Sequence, residues 1–446
     1  FQFLNVSAHG RLFQRQPLRR FREALQFCDP IKNLKFMQIQ IAFELAHRRP
    51  EKEVAVVAYL RRWRLTLSTV PVDGIFQFVT KQSPLLAFHK SNGAVFCESD
   101  GWLVPTHFGD AAAEYRTVRS TAGLIDRCHR GLLQLTGPDR SSFLQGMLSN
   151  DLRSINPGEG QYATILNQQG KVLGDVRVLR SENSFYLDLW EVIKDKIVEH
   201  LNRYLVADEV EIADRSEGYG ILSLQGPQSK ALLQKLVGHG ELPVRPAAHV
   251  MVDIDGAEIC VVRDSHTGES GFDLIIPIAA LQSLARRATD AGEPLSARWV
   301  GEEAQNILRV EAGMPRYGVD FDEDNLLLET GLDNAVSFTK GCYLGQEVIE
   351  RIRSRGHVNK KLVGLLLDGQ LKAEPGDRVM RGDKELGKVS SSVNSPELGR
   401  PIALGYVHRD FWDPGTAIEI EREGSLISAA VTPLPFVKGE NGSRHS

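Results

Sequence analysis

The chain has 446 residues, 42% hydrophobic and 25% charged, with a net charge of −4. This is globular composition, long enough for two or three domains, and its slight acidity gives no overall electrostatic case for nucleic acid. No apolar run approaches the roughly 20 residues that span a bilayer; the longest candidates, 54–60 and 362–367, suit buried strands or helix faces.

The first 82 residues stand apart. They hold 14 Lys and Arg against 6 Asp and Glu, a local net of +8, which leaves −12 on the remainder. Three readings stay open: an Arg-rich targeting peptide, a basic arm for nucleic acid or membrane, and a poorly ordered extension. Pro50 and Pro71 interrupt any single helical or strand period.

From residue 83 the texture becomes regular. Residues 132–135 read as a strand that runs into Thr136-Gly137-Pro138-Asp139, followed by helical spacing over 141–147. Residues 221–224 read as a strand that runs into Gln225-Gly226-Pro227-Gln228, followed by helical spacing over 230–237. Proline suits a first helical turn, where its missing N–H has no partner to lose. One unit thus occurs twice, and the expectation is an α+β core of two related halves over 83–355. Strands are expected at 162–165, 172–179 and 184–189, a helix over 192–204, and a helix over 301–312 stopped by Gly313 and Pro315. Beyond residue 356 only short strands punctuated by Gly and Pro remain, which predicts a small β-barrel over 356–436 and a polar tail over 437–446.

Five cysteines, Cys28, Cys97, Cys128, Cys260 and Cys342, are scattered without a CxxC pair. They suggest reduced thiols and argue against a structural zinc or a self-contained iron–sulfur cluster. No phosphate-cradling glycine loop, HExxH or GxSxG occurs, and no histidine has a partner at metal-ligand spacing.

Four stretches can carry chemistry. In Lys340-Gly341-Cys342-Tyr343 the lysine could stabilise a thiolate; the plainer alternative is a buried small hydrophobe. In Ser149-Asn150-Asp151 the carboxylate could steer an amine or accept its proton, or it could only cap the next turn. In Thr267-Gly268-Glu269-Ser270-Gly271, Glu269 could accept paired hydrogen bonds from an amino-heterocycle, or sit solvated in a turn. Arg309 could clamp a carboxylate, or only complement its helix dipole.

Taken in order, LQLTGPDRSSFLQGMLSND (133–151), QYATILNQQG (161–170), SLQGP (223–227), TGESGF (267–272) and RVEAGMP (309–315) resemble the successive blocks of the glycine-cleavage T-protein superfamily. The resemblance covers about 83–436. It implies a tetrahydrofolate pocket amid a ring of domains, with Asp151 beside the folate nitrogens, Glu269 on the pterin, Arg309 on the carboxylate tail and Tyr162 in the wall. KGCYLGQE (340–347) is similar to the signature of the YgfZ-type branch, whose members bind folate and support iron–sulfur enzymes. Asp175 without a second aspartate, His266 in place of a tyrosine, and Ser270 in place of an aspartate depart from the T-protein pattern.

The expectation is therefore a tetrahydrofolate-binding protein that supports assembly or repair of iron–sulfur client proteins, with Asp151 and Cys342 in catalytic roles. One alternative is an aminomethyltransferase that passes a methylene group from a lipoyl-bound aminomethyl to tetrahydrofolate. The other is a non-catalytic folate-binding regulator. A cytoplasmic monomer is expected, with an organellar location if the basic segment is a targeting peptide.

Overall fold

The computed structural model describes residues 80–439 apart from His239. All but the last three residues of the expected basic extension, and the tail from residue 440, lie outside the described residues. A three-stranded sheet, ordered Lys81–Gln82, Trp102–His107, Val95–Ser99, opens the described chain.

The expected duplication is present in the topology. In the first half the sheet order is Gly160–Leu166, Val172–Arg180, Phe185–Trp190, Arg130–Thr136, Glu211–Asp214. In the second it is His249–Ile254, Ala257–Arg263, Gly271–Pro277, Tyr219–Gln225, followed by Gly123–Asp126 and Arg298–Trp299. Each half thus places a hairpin beside a third strand, and that strand beside the one that precedes the Gly-Pro turn. The two turns are built alike. Gly137 and Gly226 have φ of +101° and +126°, and an added Cβ would lie 2.1 Å from Glu209 O and 2.5 Å from Thr121 O. Only glycine meets both demands.

Side-chain alternation assigns each sheet two buried faces. One face of the first sheet carries Leu133, Leu135, Val176, Val178, Leu187 and Leu189 against the helices Arg140–Met147 and Glu191–Tyr204. Leu222, Leu224, Phe272, Leu274 and Ile276 do the same in the second half beneath Ser229–Val237 and Ile278–Gly292. Truncating one such leucine to alanine would cost about 2–5 kcal/mol. The opposite faces meet each other through Leu132, Leu179, Ile221, Val262 and Ile275. Strands covered on both sides should be nearly all apolar, so the charges they do carry, described below, stand out.

The helix Glu302–Glu311 leads to the barrel, contributing Val310 to a cluster with Leu362, Val393, Ile402 and Leu404. Six strands close that barrel in the order Lys360–Leu367, Arg400–His408, Lys384–Ser395, Arg378–Arg381, Ala417–Arg422, Ser425–Thr432, so no edge is left to pair with another chain. The helices Ala111–Ser120, Ile278–Gly292 and Gln346–Arg355, and the hairpin of His249–Ile254 with Ala257–Arg263, were not among the expected elements. Among the described residues no helix is long and apolar enough to cross a membrane.

Candidate functional site

Register places Tyr162 opposite Arg177, and Arg177 opposite Asp188, on the face of the first sheet that looks toward the second. Asp175 and Arg130 share that face by alternation. Together with Arg127, Trp190, His266, Arg309 and Arg316 they line a cavity of about 720 Å³, within the size range of small-molecule sites.

Most of its charges are paired. Arg177 Nη1 lies 2.7 Å from both Asp264 Oδ2 and Asp273 Oδ2, and its Nη2 lies 2.5 Å from Asp188 Oδ2. Arg130 Nε donates to Asp188 Oδ1 at 2.7 Å. Burial opposes ionisation of Asp273, but His266 and Arg177 hold its carboxyl well below the usual range. Asp188 is likewise lowered, against burial, by Arg130 and Arg177. Asp264, His266 and Asp273 could converge on a cation, yet both carboxylates already pair with Arg177.

Asp175 differs. Its Oδ2 accepts from the Tyr162 hydroxyl at 2.8 Å, while its buried Oδ1 has no hydrogen-bond partner among the described residues. Burial raises its carboxyl above the ordinary range, opposed by Arg130. Burial and the neighbouring Asp175 push the Tyr162 phenol well up, so it remains a donor. The buried Nε2 of Gln161, another lining residue, is also without a partner. Each is an unpaired buried polar atom, which is costly where it stays unsatisfied. The aromatic side chain of Tyr162 supplies a flat wall for a planar ring. These features fit a reduced pterin such as that of tetrahydrofolate.

The expected site residues fall in different places. Tyr162 and Arg309 line the cavity. The Arg309 guanidinium is largely occupied, donating from Nη1 to Asp320 at 2.7 Å, from Nη2 to Ser391 at 2.8 Å and from Nε to Asn306 at 2.8 Å. Asp151 sits just behind the lining residue Asn150; its Oδ1 accepts from Gln145 Nε2 at 2.9 Å and from Arg153 N at 3.0 Å, an N-cap of the turn Leu152–Ser154. Glu269 is buried away from the lining and accepts from Arg119 Nη1 at 2.5 Å. Arg119 also binds Glu311, which in turn accepts from Tyr115 at 2.8 Å and from Ser395 of the barrel. Cys342 is exposed and outside the cavity. Lys340 turns away from any thiolate role. Its Nζ donates to the carbonyls of Gln145, Leu148 and Asn150 at 2.8, 2.6 and 2.8 Å, and burial lowers it to about 8.

Sequence reading missed Arg127, Arg130, Arg177, Asp188, Asp264 and Asp273. The available signal was a charge at an inward position of an otherwise apolar strand, as in VLGDVRVLR, FYLDLW and GFDLIIP.

Fold and cavity define a duplicated α+β protein with a charged central chamber and an appended closed barrel. The family description "GCVT N-terminal domain" matches residues 85–340, and "Glycine cleavage T-protein C-terminal barrel domain" matches 360–438. The chain belongs to the glycine cleavage T-protein family. It is 34% identical to an aminomethyltransferase of Rubrobacter xylanophilus over 359 residues, covering 80% of this chain and 94% of that one. It is 32% identical to an aminomethyltransferase of Chlorobium phaeovibrioides over 362 residues, covering 80% and 99%. The crystal structure of the glycine cleavage system aminomethyltransferase T from Bartonella henselae superposes with a TM-score of 0.74 at 26% identity, covering 80% and 98%.

These relatives correct the iron–sulfur expectation. That expectation came from the stretch around Cys342, whereas the curated relatives over four-fifths of the chain are aminomethyltransferases. The lysine expected to stabilise a Cys342 thiolate donates instead to backbone carbonyls.

Proposed function

We propose that the chain is a tetrahydrofolate-dependent aminomethyltransferase. The observation that carries this reading is the Asp175 carboxyl, held by Tyr162 in the wall of a chamber large enough for the substrate. Tetrahydrofolate, when bound, supplies the nitrogen nucleophile that takes up the one-carbon unit. Asp175 binds an N–H of the pterin or amine edge with its carboxyl group, and burial raises that group's proton affinity above the ordinary carboxyl range. Tyr162 fixes that carboxylate by donating to Oδ2. Tyr162 excludes water from the ring, and Arg309 contributes to the wall. Asp151 and Glu269 act one step back. Asp151 fixes the loop that presents Asn150, and Glu269 anchors the loop that presents Ser265 and His266. Cys342 has no part in the reaction.

Titration calorimetry with tetrahydrofolate tests this reading on the wild type, Asp175→Asn and Tyr162→Phe. Saturable wild-type binding, weakened at least tenfold by Asp175→Asn and less by Tyr162→Phe, is expected. Equal binding by all three chains would place the ligand elsewhere.

A further inference from the structure

At one end of the cavity Trp190 is ringed by cations. The guanidinium carbons of Arg130, Arg316 and Arg127 lie 4.7, 4.9 and 6.0 Å from its ring centroid, and His129 stacks on it at 5.7 Å. Two of the three arginines are neutralised locally. Arg130 donates to Asp188, and Arg316 pairs with Glu302 and Asp100. Arg127 is not. It is only 7% exposed, and its guanidinium has no hydrogen bond or ion pair among the described residues, its Nε being buried without a partner. Asp188 and Asp273 attract it through space, while Arg130 and Arg177 repel it, and burial together with that repulsion pulls it down to about 10. His129 adds no charge to the group, because burial and Arg127 drive its imidazole down to about 3.

A buried, unpaired guanidinium among other arginines costs the folded chain stability unless a ligand completes it. Its donors are planar and forked, the geometry that matches a carboxylate or phosphate, and it faces the same chamber as Asp175. We propose that Arg127, backed by Trp190 and His129, forms an anion subsite of the cavity that takes a carboxylate or phosphate group. If the chain binds tetrahydrofolate, as the proposed function holds, that group is a glutamyl carboxylate; only this choice of ligand rests on the folate reading. Arg309, with most of its donors committed to Asp320, Ser391 and Asn306, leaves this task open.

The test uses the full chain as wild type, Arg127→Met and Arg127→Gln, with three probes. Tetrahydrofolate carries the glutamyl carboxylates, 6-methyltetrahydropterin keeps the reduced ring without them, and inorganic phosphate is the anion alone. Without ligand, both variants are expected to melt at or above the wild-type temperature. In calorimetry tetrahydrofolate should bind both variants roughly 10- to 100-fold more weakly, the loss of a charge-assisted pair, while 6-methyltetrahydropterin binds all three chains alike. Stabilisation by phosphate should vanish in both variants. A loss confined to phosphate supports the subsite and makes its occupant a free anion instead of the glutamyl tail. Phosphate protection that needs Arg127 in a wild type that binds no pterin leaves the subsite standing and removes the folate reading. Unchanged response to both tetrahydrofolate and phosphate overturns the proposal. So does an equal loss of both pterins with phosphate protection intact, or a ligand-free melting temperature that drops in both variants.

Discussion

Arg177 of the first sheet and Asp273 of the second meet at 2.7 Å, an ion pair that joins the two halves of the duplicated core at the wall of the cavity. Asp273 is fully buried and Arg177 is 5% exposed. Arg177 also serves Asp188 and Asp264, so one cation bridges three carboxylates contributed by both halves, with Arg130 sharing Asp188. Removing it strands buried negative charge. Arg177→Met is expected to lower unfolding free energy by about 3–5 kcal/mol, read as the shift of the denaturant midpoint at constant slope. Adding Asp273→Leu should recover part of that loss. A single variant as stable as the wild type would show that the pair does not hold the sheets together.

Asp175 gives a prediction in which stability and activity move in opposite directions. Its folded-state proton affinity is raised by burial, so the proton-bound form is favoured in the folded chain. Stability from this group is fully present below the unfolded carboxyl range, near 4, and is lost as pH rises through the higher folded value. Asp175→Asn should therefore be more stable than the wild type at neutral pH, with the gain fading toward pH 4. Transfer should slow by about 10²–10³-fold. The acid limb of the wild-type rate profile should lie above the ordinary carboxylate range.

His129 sets a second pH dependence. Burial and the charge of Arg127 hold it near 3 in the folded chain, whereas an unfolded histidine titrates at about 6.5. The unfolded chain thus binds more protons throughout that window, and stability falls as pH drops from about 6.5 toward 3. In His129→Asn this slope should flatten. Thermal melts of the two chains across the window check it, and parallel curves would mean that His129 protonates freely in the folded state.

Arg119 joins the helix Ala111–Ser120 to Glu269 of the second half and to Glu311, which also accepts from Ser395 of the barrel. Arg119→Met should cost about 3–5 kcal/mol by removing the cation that two buried carboxylates share. The loosened barrel should also become open to limited proteolysis near residues 356–360. A variant whose barrel stays protected would show that the packing of Val310 against Leu362, Val393, Ile402 and Leu404 is sufficient alone.

The duplicated core was legible because each copy writes its strand, Gly-Pro turn and helix in local signals, and the turn glycines meet a steric demand that no other residue satisfies. The barrel was legible for a similar reason, its strands being cut to length by Gly and Pro. The helix Ala111–Ser120 was not, since Tyr115 and Val118 are the only large apolar residues it buries. Tyr162 and Arg309 were found at the cavity, but its charges were not. That Arg177 meets Asp264 and Asp273 depends on the packing of two sheets distant in sequence, and no spacing rule encodes that. Cys342 misled for a related reason. Lys340 is two residues away along the chain, yet its ammonium is drawn to the carbonyls at the end of Arg140–Met147, away from the thiol.

The most direct measurement is ammonia release from an aminomethyl-lipoyl carrier protein mixed with the purified full chain, with and without tetrahydrofolate. The expected result is release that requires tetrahydrofolate and falls at least a hundredfold in Asp175→Asn. Tetrahydrofolate binding that saturates without any ammonia release, or release indifferent to Asp175, would contradict the aminomethyltransferase assignment.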